Sequence, residues 1–186
     1  AKKKGLRVGC APDTFLGGGQ QTARKLLDDG WIGKPIACTA IVMGRGPEKW
    51  GQAPFFYDYG AGPMLDLGPY YVTAMVNLFG PAKSVTAVTI KGSEYRIGGA
   101  EFTAPYDKIY KPFDKYPVTV TTHLTGVIEF QNGVVATMIA SFEAYRHSHP
   151  AIEVYGDQGT MQVPDPNTFD GPVRVYRRDT ADWVTA

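Results

Sequence analysis

The sequence is poor in cysteine, carries no excess of either charge and has no long apolar run. Two cysteines among 186 residues, Cys10 and Cys38, are too few for a disulfide framework or a zinc site, and we expect both to be buried thiols. Nineteen Lys and Arg residues balance 18 Asp and Glu, which gives no electrostatic basis for binding nucleic acid or an anionic membrane. No apolar run approaches the roughly 18 residues of a membrane span, and no leader-like apolar segment follows Lys2–Lys4. We therefore expect a cytoplasmic protein.

Motifs that bind nucleotides or metals are also missing. Gly17-Gly18-Gly19 and Gly98-Gly99 lack the G-x-G-x-x-G spacing that places a pyrophosphate at a helix N-terminus. The sequence contains no phosphate-binding G-x-x-x-x-G-K-[ST] and no G-x-S-x-G. His147-Ser148-His149 places two imidazoles on one side of a strand, but no third ligand lies nearby in the sequence, so we expect no metal site.

The sequence is rich in turn-forming residues and in aromatic rings. Its 22 Gly and 14 Pro favour many turns, and its 11 Tyr and 9 Phe favour strands. Ala23, Leu26 and Leu27 have helical spacing and precede Gly30, which predicts a helix over residues 20–29 with a left-handed cap. A second helix is predicted over residues 64–79, with a kink or a new start at Pro69.

After residue 83, the apolar residues recur at every second position, which is typical of β-strands. Gln131-Asn132-Gly133 has the composition of a hairpin turn between two such segments. The segments predicted as strands are 6–11, 35–43, 84–90, 118–130, 134–144, 151–155, 160–163 and 173–178, and residues 91–116 are predicted to be irregular. The pattern predicts an α+β fold, an open-faced and mainly antiparallel sheet of about seven strands with helices on one face.

One pair of residues in the second helix has the chemistry of a catalytic site. Asp66 and Tyr70 are four residues apart, so on a helix both side chains leave the same face. A carboxylate can orient a neighbouring phenol, although by itself it raises the phenol's pKa, and a phenol acting as a base then needs a cation nearby. The alternative is structural: Asp66 caps the helix that restarts at Pro69, and Tyr70 is a ring of the core.

The segment around this pair resembles the C-terminal domain of the glucose-fructose oxidoreductase / inositol dehydrogenase / MocA family. That family shows G-G-G-x-x-x-D-x-G-x-H/Y at the start of this helix. The sequence matches this pattern at Gly60, Gly62, Asp66, Gly68 and Tyr70 and departs from it at Ala61. Further segments similar to the family's crossover and sheet are residues 12–17, 21–24, 30–35, 126–130, 132–133, 153–156 and 159–160. The resemblance covers nearly the whole chain.

The resemblance implies a two-domain, NAD(P)-dependent oxidoreductase. Residues 1–12 would be the last strand and exit of an N-terminal Rossmann domain, and residues 13–186 the substrate-binding and oligomerisation domain. NAD or NADP would be bound mainly by the N-terminal domain, which would also place a Lys beside Tyr70. Tyr70 would move the hydroxyl proton of a sugar, polyol or related alcohol, with Asp66 orienting it. Without the cofactor domain, this chain would be inactive.

Other residues are weaker candidates for the site. Aromatic rings stack on sugar faces and polar groups bind hydroxyls, so we expect substrate contacts from Arg45, Trp50, Tyr57 and His147. Alternatively, Trp50 and Tyr57 bury each other, and Arg45 and His147 lie on the surface. By their position after the last Rossmann strand, the residues expected near the cofactor are Asp13 and Phe15.

Two further interpretations of the whole chain remain open. It could be a non-catalytic module that binds carbohydrate through its aromatic rings, or a dimerisation domain without a pocket around Tyr70. In the oxidoreductase interpretation, the open sheet face favours a homodimer or larger homo-oligomer, because an isologous pair buries that face.

Overall fold

A computed structural model of the chain describes residues 1–48, 53–98, 102–103, 109–110 and 114–186. Its helices are α1 (Gly18–Asp28), α2 (Pro63–Asp66) and α3 (Gly68–Phe79), with 3-10 turns at Lys2–Lys4, Thr14–Leu16 and Ala53–Tyr57. Its strands are β1 (Pro35–Met43), β2 (Ala82–Ile90), β3 (Tyr95–Ile97), β4 (Phe102–Thr103), β5 (Ile109–Tyr110), β6 (Lys115–Pro117), β7 (His123–Phe130), β8 (Val135–Ser141), β9 (Ile152–Gly156), β10 (Gly159–Val163), β11 (Arg174–Arg177) and β12 (Val184–Thr185). None of the helices in these ranges is long and apolar enough to cross a membrane.

Eight of the strands form one mixed sheet in the order β12-β11-β10-β9-β1-β8-β7-β2. Strands β1 and β8 run parallel, and every other neighbouring pair is antiparallel. Strands β3 and β6 form a small separate pair, as do β4 and β5. The predicted α+β class, with an open and mainly antiparallel sheet, is confirmed, with eight strands in place of about seven.

The core lies between the helices and one face of the sheet. Alternate residues of the strands point to this face, and α1 and α3 cover it with their apolar stripes. Buried side chains of this cluster include Ala23, Leu26, Tyr71, Met75, Leu78, Cys38, Ala40, Met138, Ala140 and Val154. At roughly 25 cal/mol per Å² of apolar surface, burial of these side chains fixes the register of each strand, since a one-residue slip would expose them.

Both predicted helices have the expected ends. Gly30 has φ 75°, and the N–H groups of Gly30 and Trp31 bond to the carbonyls of Leu27 and Leu26, which is a Schellman cap. The second helix is interrupted at Leu67 and restarts at Gly68 with Pro69 in its first turn, where a missing N–H costs nothing. The predicted new start is therefore confirmed.

The opposite face of the sheet is not covered by any of the helices in the described ranges. Cross-strand partners place Val88, Val127 and Val135 on it together with several Thr side chains. These valines are 75%, 45% and 42% exposed, and every residue of the edge strand β2 is exposed. This face is therefore partly apolar.

Several local predictions are wrong. Residues 6–11 form no strand, because no described strand lies beside them, and Cys10 in this segment is exposed instead of buried. The strand predicted from Val118 begins at His123. The stretch predicted to be irregular pairs Tyr95–Ile97 with Lys115–Pro117, a long-range contact that local period does not reveal.

Candidate active site

The Gly-rich segment before α2 places Asp66 and Tyr70 beside one cavity. Gly62 has φ 88°, which L side chains rarely adopt, and a Cβ there would lie 2.9 Å from the carbonyl oxygen of Thr121. A Cβ at Gly68 would lie 2.6 Å from the sulfur of Met64. Asp66 ends α2 and Tyr70 lies in the first turn of α3, so they are not on one continuous helix. Both nevertheless line the same cavity.

This cavity has a volume of about 460 Å³ and lies at the end of β1 and β8 nearest the start of α3. Its walls come from the segment after β1, from α2 and α3, from the end of β8 and from one residue after β10. The lining residues are Val42, Met43, Gly44, Arg45, Gly46, Pro47, Glu48, Phe56, Asp66, Leu67, Tyr70, Ser141, Phe142 and Asn167. The size falls within the range of pockets that hold small molecules.

The structural alternative fails for Asp66 and holds in part for Tyr70. The residue before α3 is Leu67, and no side chain of the described residues caps that helix, so Asp66 is not its cap. Asp66 is half-buried, and burial raises the pKa of its carboxyl. Its side chain makes no hydrogen bond to any residue in the described ranges, which leaves it available to a ligand. Tyr70 packs against the core but is only partly buried and borders the cavity.

An ion network forms the cavity wall contributed by the segment after β1. The Arg45 guanidinium lies 3.7 Å from Glu48 and 3.4 Å from Glu143, and it covers the ring of Tyr145 at 4.7 Å. The same two carboxylates accept hydrogen bonds from Arg96, at 3.0 Å for Glu48 and 2.5 Å for Glu143. Two cations and two anions therefore form a charge-balanced unit.

Arg96 is the buried member of this network. It is 3% exposed, donates a third hydrogen bond to the carbonyl of Phe142 at 3.3 Å, and lies over the Tyr57 ring at 5.4 Å. Burial by itself would raise the pKa of Glu143, but the hydrogen bond from Thr122 and the two guanidinium groups lower it on balance. Arg96 therefore organises the wall without bordering the cavity itself.

Of the other predicted site residues within the described ranges, Arg45 lines the cavity and the rest do not. Tyr57 is fully buried among Tyr116, Val118 and Phe142, and its hydroxyl donates to the carbonyl of Arg45 at 3.4 Å, so it supports the wall from behind. Trp50 lies outside the described residues. The remaining three predicted residues, none of which lines the cavity, are His147, Asp13 and Phe15.

His147 and the two cofactor candidates occupy other places. His147 follows β8 and stacks on His149 with 6.1 Å between ring centroids. Its Nδ1 is buried and has no hydrogen-bond partner among the described residues. Within the described part of the chain, no three His, Cys, Asp or Glu side chains are grouped as metal ligands would be. Asp13 is exposed and Phe15 partly exposed, on either side of the buried Thr14. Their predicted roles stay predictions.

Sequence reasoning missed several polar residues of the site. Glu48, Ser141 and Asn167 line the cavity, and Arg96 holds its wall. Ser141 also bonds to His123, with 2.9 Å between Oγ and Nδ1. The partners in these contacts are 18 to 98 residues apart in the sequence, so no local motif marks them.

The similarity of this chain to known proteins agrees with the motif around Asp66. The family model described as the GFO/IDH/MocA C-terminal domain matches residues 20–162. The chain belongs to this family. Among curated proteins, a search finds no match.

Solved structures share the fold of this family member at low sequence identity. An NAD-binding oxidoreductase from Klebsiella pneumoniae is 20% identical with a TM-score of 0.73, and the match covers 100% of this chain and 47% of that chain. Levoglucosan dehydrogenase in complex with NADH and L-sorbose is 20% identical with a TM-score of 0.64, covering 88% and 42%. A super-repressor mutant of Gal80p from Saccharomyces cerevisiae is 12% identical with a TM-score of 0.70, covering 100% and 47%. The chain thus spans less than half the length of these structures.

Proposed function

We propose that this chain is the substrate-holding half of an NAD(P)-dependent oxidoreductase that acts on an uncharged sugar, polyol or related alcohol. The observation that carries the proposal is that Asp66 and Tyr70, the residues matching the family motif, border one cavity of suitable size. The same fold occurs in a protein named as a repressor, so the fold alone does not decide for catalysis. The proposal depends on the chemistry of these two side chains.

In this proposal Tyr70 moves the proton of the reacting hydroxyl. In the oxidation direction, the phenol oxygen takes the hydroxyl proton while the carbinol carbon loses a hydride, and the cation that this base needs would come from a Lys of the preceding domain. In the reduction direction, the phenol returns that proton to the carbonyl oxygen. A nicotinamide cofactor, when bound, accepts or supplies the hydride. The Asp66 carboxylate makes no hydrogen bond in the described ranges, so it can accept one from a substrate hydroxyl and orient it. Positioned acid–base catalysis of this kind is typically worth ~10²–10⁴-fold.

This chain has a place for the reacting end of a dinucleotide cofactor but not for its other parts. The sequence has no Gly-rich phosphate-binding turn, so the pyrophosphate and adenosine would have to be held by a preceding Rossmann domain. What this chain offers is an open cavity with a phenol and a carboxyl on its wall, where the reacting end of a cofactor and a substrate can meet. We infer a domain of that kind before residue 13.

The charges on the cavity wall favour an uncharged substrate. Arg45 and Arg96 are both bound by Glu48 and Glu143, so the wall presents no unpaired cation among the described residues. The remaining charged side chain on the described part of the lining is Asp66, which would repel a carboxylate. Hydroxyl groups can bind both the carboxyl and the phenol without this cost.

Substitution of Tyr70 tests the proposal. The full-length protein is assayed with NAD and NADP on levoglucosan, L-sorbose, D-glucose and myo-inositol, in both directions, by the absorbance of the reduced cofactor. We expect Tyr70→Phe to lower kcat by ~10²–10⁴-fold with an unchanged melting temperature. Tyr59→Phe, which removes the hydroxyl of a 95% exposed tyrosine, is the matched control. Wild-type turnover in Tyr70→Phe, or no turnover of any of these compounds by the wild type, would refute the proposal.

A carboxylate analogue tests the charge argument separately. D-glucuronate differs from D-glucose by a carboxylate at C6, so it probes the same ring with an added negative charge. We expect the wild type to bind D-glucose more tightly than D-glucuronate. Glu48→Gln frees part of the Arg45 guanidinium, so it should reduce the ratio of the two dissociation constants. An unchanged ratio in this variant would contradict the charge argument.

We also propose that the exposed sheet face pairs with a second copy of the chain. Val88, Val127 and Val135 lie on it with Thr side chains, and an isologous contact would bury them together. Val127→Asp should convert the protein to monomers in sedimentation velocity, whereas Val76→Asp, on an exposed part of α3, should not. A wild-type protein that is monomeric at high concentration would overturn this part.

A further inference from the structure

Part of the cavity lining comes from the segment after β10, which neither the motif nor the family resemblance marks. Asn167 follows β10, and its exposed side chain lines the cavity together with Asp66 and Tyr70. The side-chain amide makes no hydrogen bond with the described part of the chain. An amide carries both a donor and an acceptor without charge, which matches a hydroxyl group.

The backbone that carries Asn167 is held in place by its neighbour Asp165. The carboxylate of Asp165 accepts a hydrogen bond from the N–H of Asn167 at 2.9 Å, and the hydroxyl of Thr168 donates to the carbonyl of Asp165 at 2.9 Å. These contacts form a tight turn that fixes the direction in which the Asn167 side chain leaves the backbone.

Two buried residues attach this turn to the rest of the site. Tyr71, the neighbour of Tyr70 on α3, donates its hydroxyl to Asp165 at 3.1 Å. Burial, together with the nearby Asp165 carboxylate, raises the pKa of Tyr71, which favours the protonated phenol that donates this bond. Thr14, which lies between Asp13 and Phe15, donates its hydroxyl to the carbonyl of Pro166 at 2.5 Å. The turn is therefore tied both to the helix that carries Tyr70 and to the segment that precedes α1.

We propose that Asn167 is a substrate-binding residue that contacts a hydroxyl of the substrate, and that Tyr71 is its positioning residue, acting through Asp165. This inference rests on the proposed function and adds a specificity contact to the same site. A side chain held by a tied backbone loses little freedom on binding, so its hydrogen bond contributes to affinity. Because Asn167 does not exchange protons, its contribution falls on KM and not on the chemical step.

The test is a set of substitutions in the full-length protein, assayed on whichever of levoglucosan, L-sorbose, D-glucose and myo-inositol it turns over fastest. We expect Asn167→Ala to raise KM about three- to tenfold, the effect of losing one neutral hydrogen bond, with kcat within about twofold of wild type. Asn167→Asp keeps the shape but loses the donor, so its KM should rise as well. Asp170→Ala, in the same segment and away from the cavity, is the control and should keep the wild-type KM.

Tyr71→Phe separates positioning from simple stability. It leaves the Asn167 side chain present but removes the hydrogen bond to Asp165, so KM should rise with kcat retained. In the Asn167→Ala background the same change should add little to KM, because the contact it positions is already gone. A global loss of stability would instead lower activity equally in both backgrounds.

The outcomes distinguish this inference from the function on which it rests. If Tyr70→Phe loses turnover while Asn167→Ala and Asn167→Asp keep the wild-type KM, the Asn167 assignment is wrong and the proposed function stands. If kcat falls in Asn167→Ala with KM unchanged, Asn167 acts in the chemical step and the binding role is refuted. If Tyr70→Phe is fully active, both proposals fall.

Discussion

Removing the buried guanidinium of Arg96 should destabilise the protein more than removing any surface charge. Arg96→Met keeps much of the side-chain length but deletes three hydrogen bonds, to Glu48, Glu143 and the carbonyl of Phe142. It also deletes the cationic contact with the ring of Tyr57. The two carboxylates would then face each other across an apolar side chain.

The expected loss follows from the burial of the partners. Breaking a fully buried ion pair costs about 3–5 kcal/mol, because the remaining charge is left without a partner. The side chains of Glu48 and Glu143 are 18% and 26% exposed, so water can reach them in part, and Arg45 stays beside both. We therefore expect Arg96→Met to lower the free energy of unfolding by about 3 kcal/mol, the lower end of that range. For a chain of this size, this corresponds to a fall of about 6–12 °C in the melting temperature.

The assay is urea unfolding of the purified protein followed by tryptophan fluorescence and circular dichroism. Arg96→Lys should recover part of the stability, since an ammonium keeps the charge but cannot bridge two carboxylates and a carbonyl in one plane. Lys83→Met is the control, because the Lys83–Glu129 pair is also short, at 2.6 Å, but lies on the surface. We expect no measurable loss in that variant.

A double-mutant cycle decides whether the network acts as described. Glu143→Gln and Arg96→Met should not be additive, with a coupling of at least about 1 kcal/mol, because each removes part of the same set of contacts. A loss below about 1 kcal/mol for Arg96→Met, or additive losses in the cycle, would refute the account of the wall as one connected unit.

Three further predictions concern single residues. In the native state, Cys10 should react with a thiol reagent and Cys38 should not, because Cys10 is exposed and Cys38 is buried. Burial, and to a smaller extent a nearby carboxylate, also raises the pKa of the Cys38 thiol to about 12. Gly46→Ala should destabilise the fold by about 1–3 kcal/mol in urea unfolding, since Gly46 has φ 89° and an added Cβ would overlap the hydroxyl of Tyr57. Asp66→Asn should stabilise the fold at neutral pH, because burial raises the pKa of Asp66 and so disfavours the ionised carboxylate in the folded state.

Each of these predictions has a control or a result that contradicts it. Gly80 also has a positive φ, 83°, but no atom of the described residues lies within 4 Å of an added Cβ, so Gly80→Ala should cost less stability than Gly46→Ala. For Asp66, the folded state binds more protons than the unfolded state as pH rises from the ordinary value of 3.8 through the raised pKa. The free energy of unfolding of the wild type therefore falls as pH rises from 3.8 through the raised pKa. Below pH 3.8, Asp66→Asn should no longer be more stable than the wild type. A stability difference between the two proteins that persists there would contradict the assignment. Native-state labelling of Cys38 at a rate like that of Cys10 would contradict the burial argument.

Local sequence patterns determined the elements and their ends. The apolar spacing at Ala23, Leu26 and Leu27 with Gly30 gave α1 and its cap, and Pro69 marked the restart of the second helix. Gln131-Asn132-Gly133 marked the hairpin between β7 and β8, where Gly133 has φ 90°. These features depend on backbone preferences within a few residues, so they can be predicted from the sequence.

Only the tertiary structure decided which distant side chains meet. Strand β1 lies between β8 and β9, far from its sequence neighbours, and this order brings the end of β1 beside the end of β8 and so joins Arg45 to Glu143. Arg96 and Asn167 reach the site from segments with no motif, and Tyr57, which looked like a stacking ring for a ligand, is buried behind the wall. The motif identified Asp66 and Tyr70 because they lie four residues apart. The cavity wall around them depends on contacts between residues tens of positions apart, and a local sequence pattern does not contain both partners of such a contact.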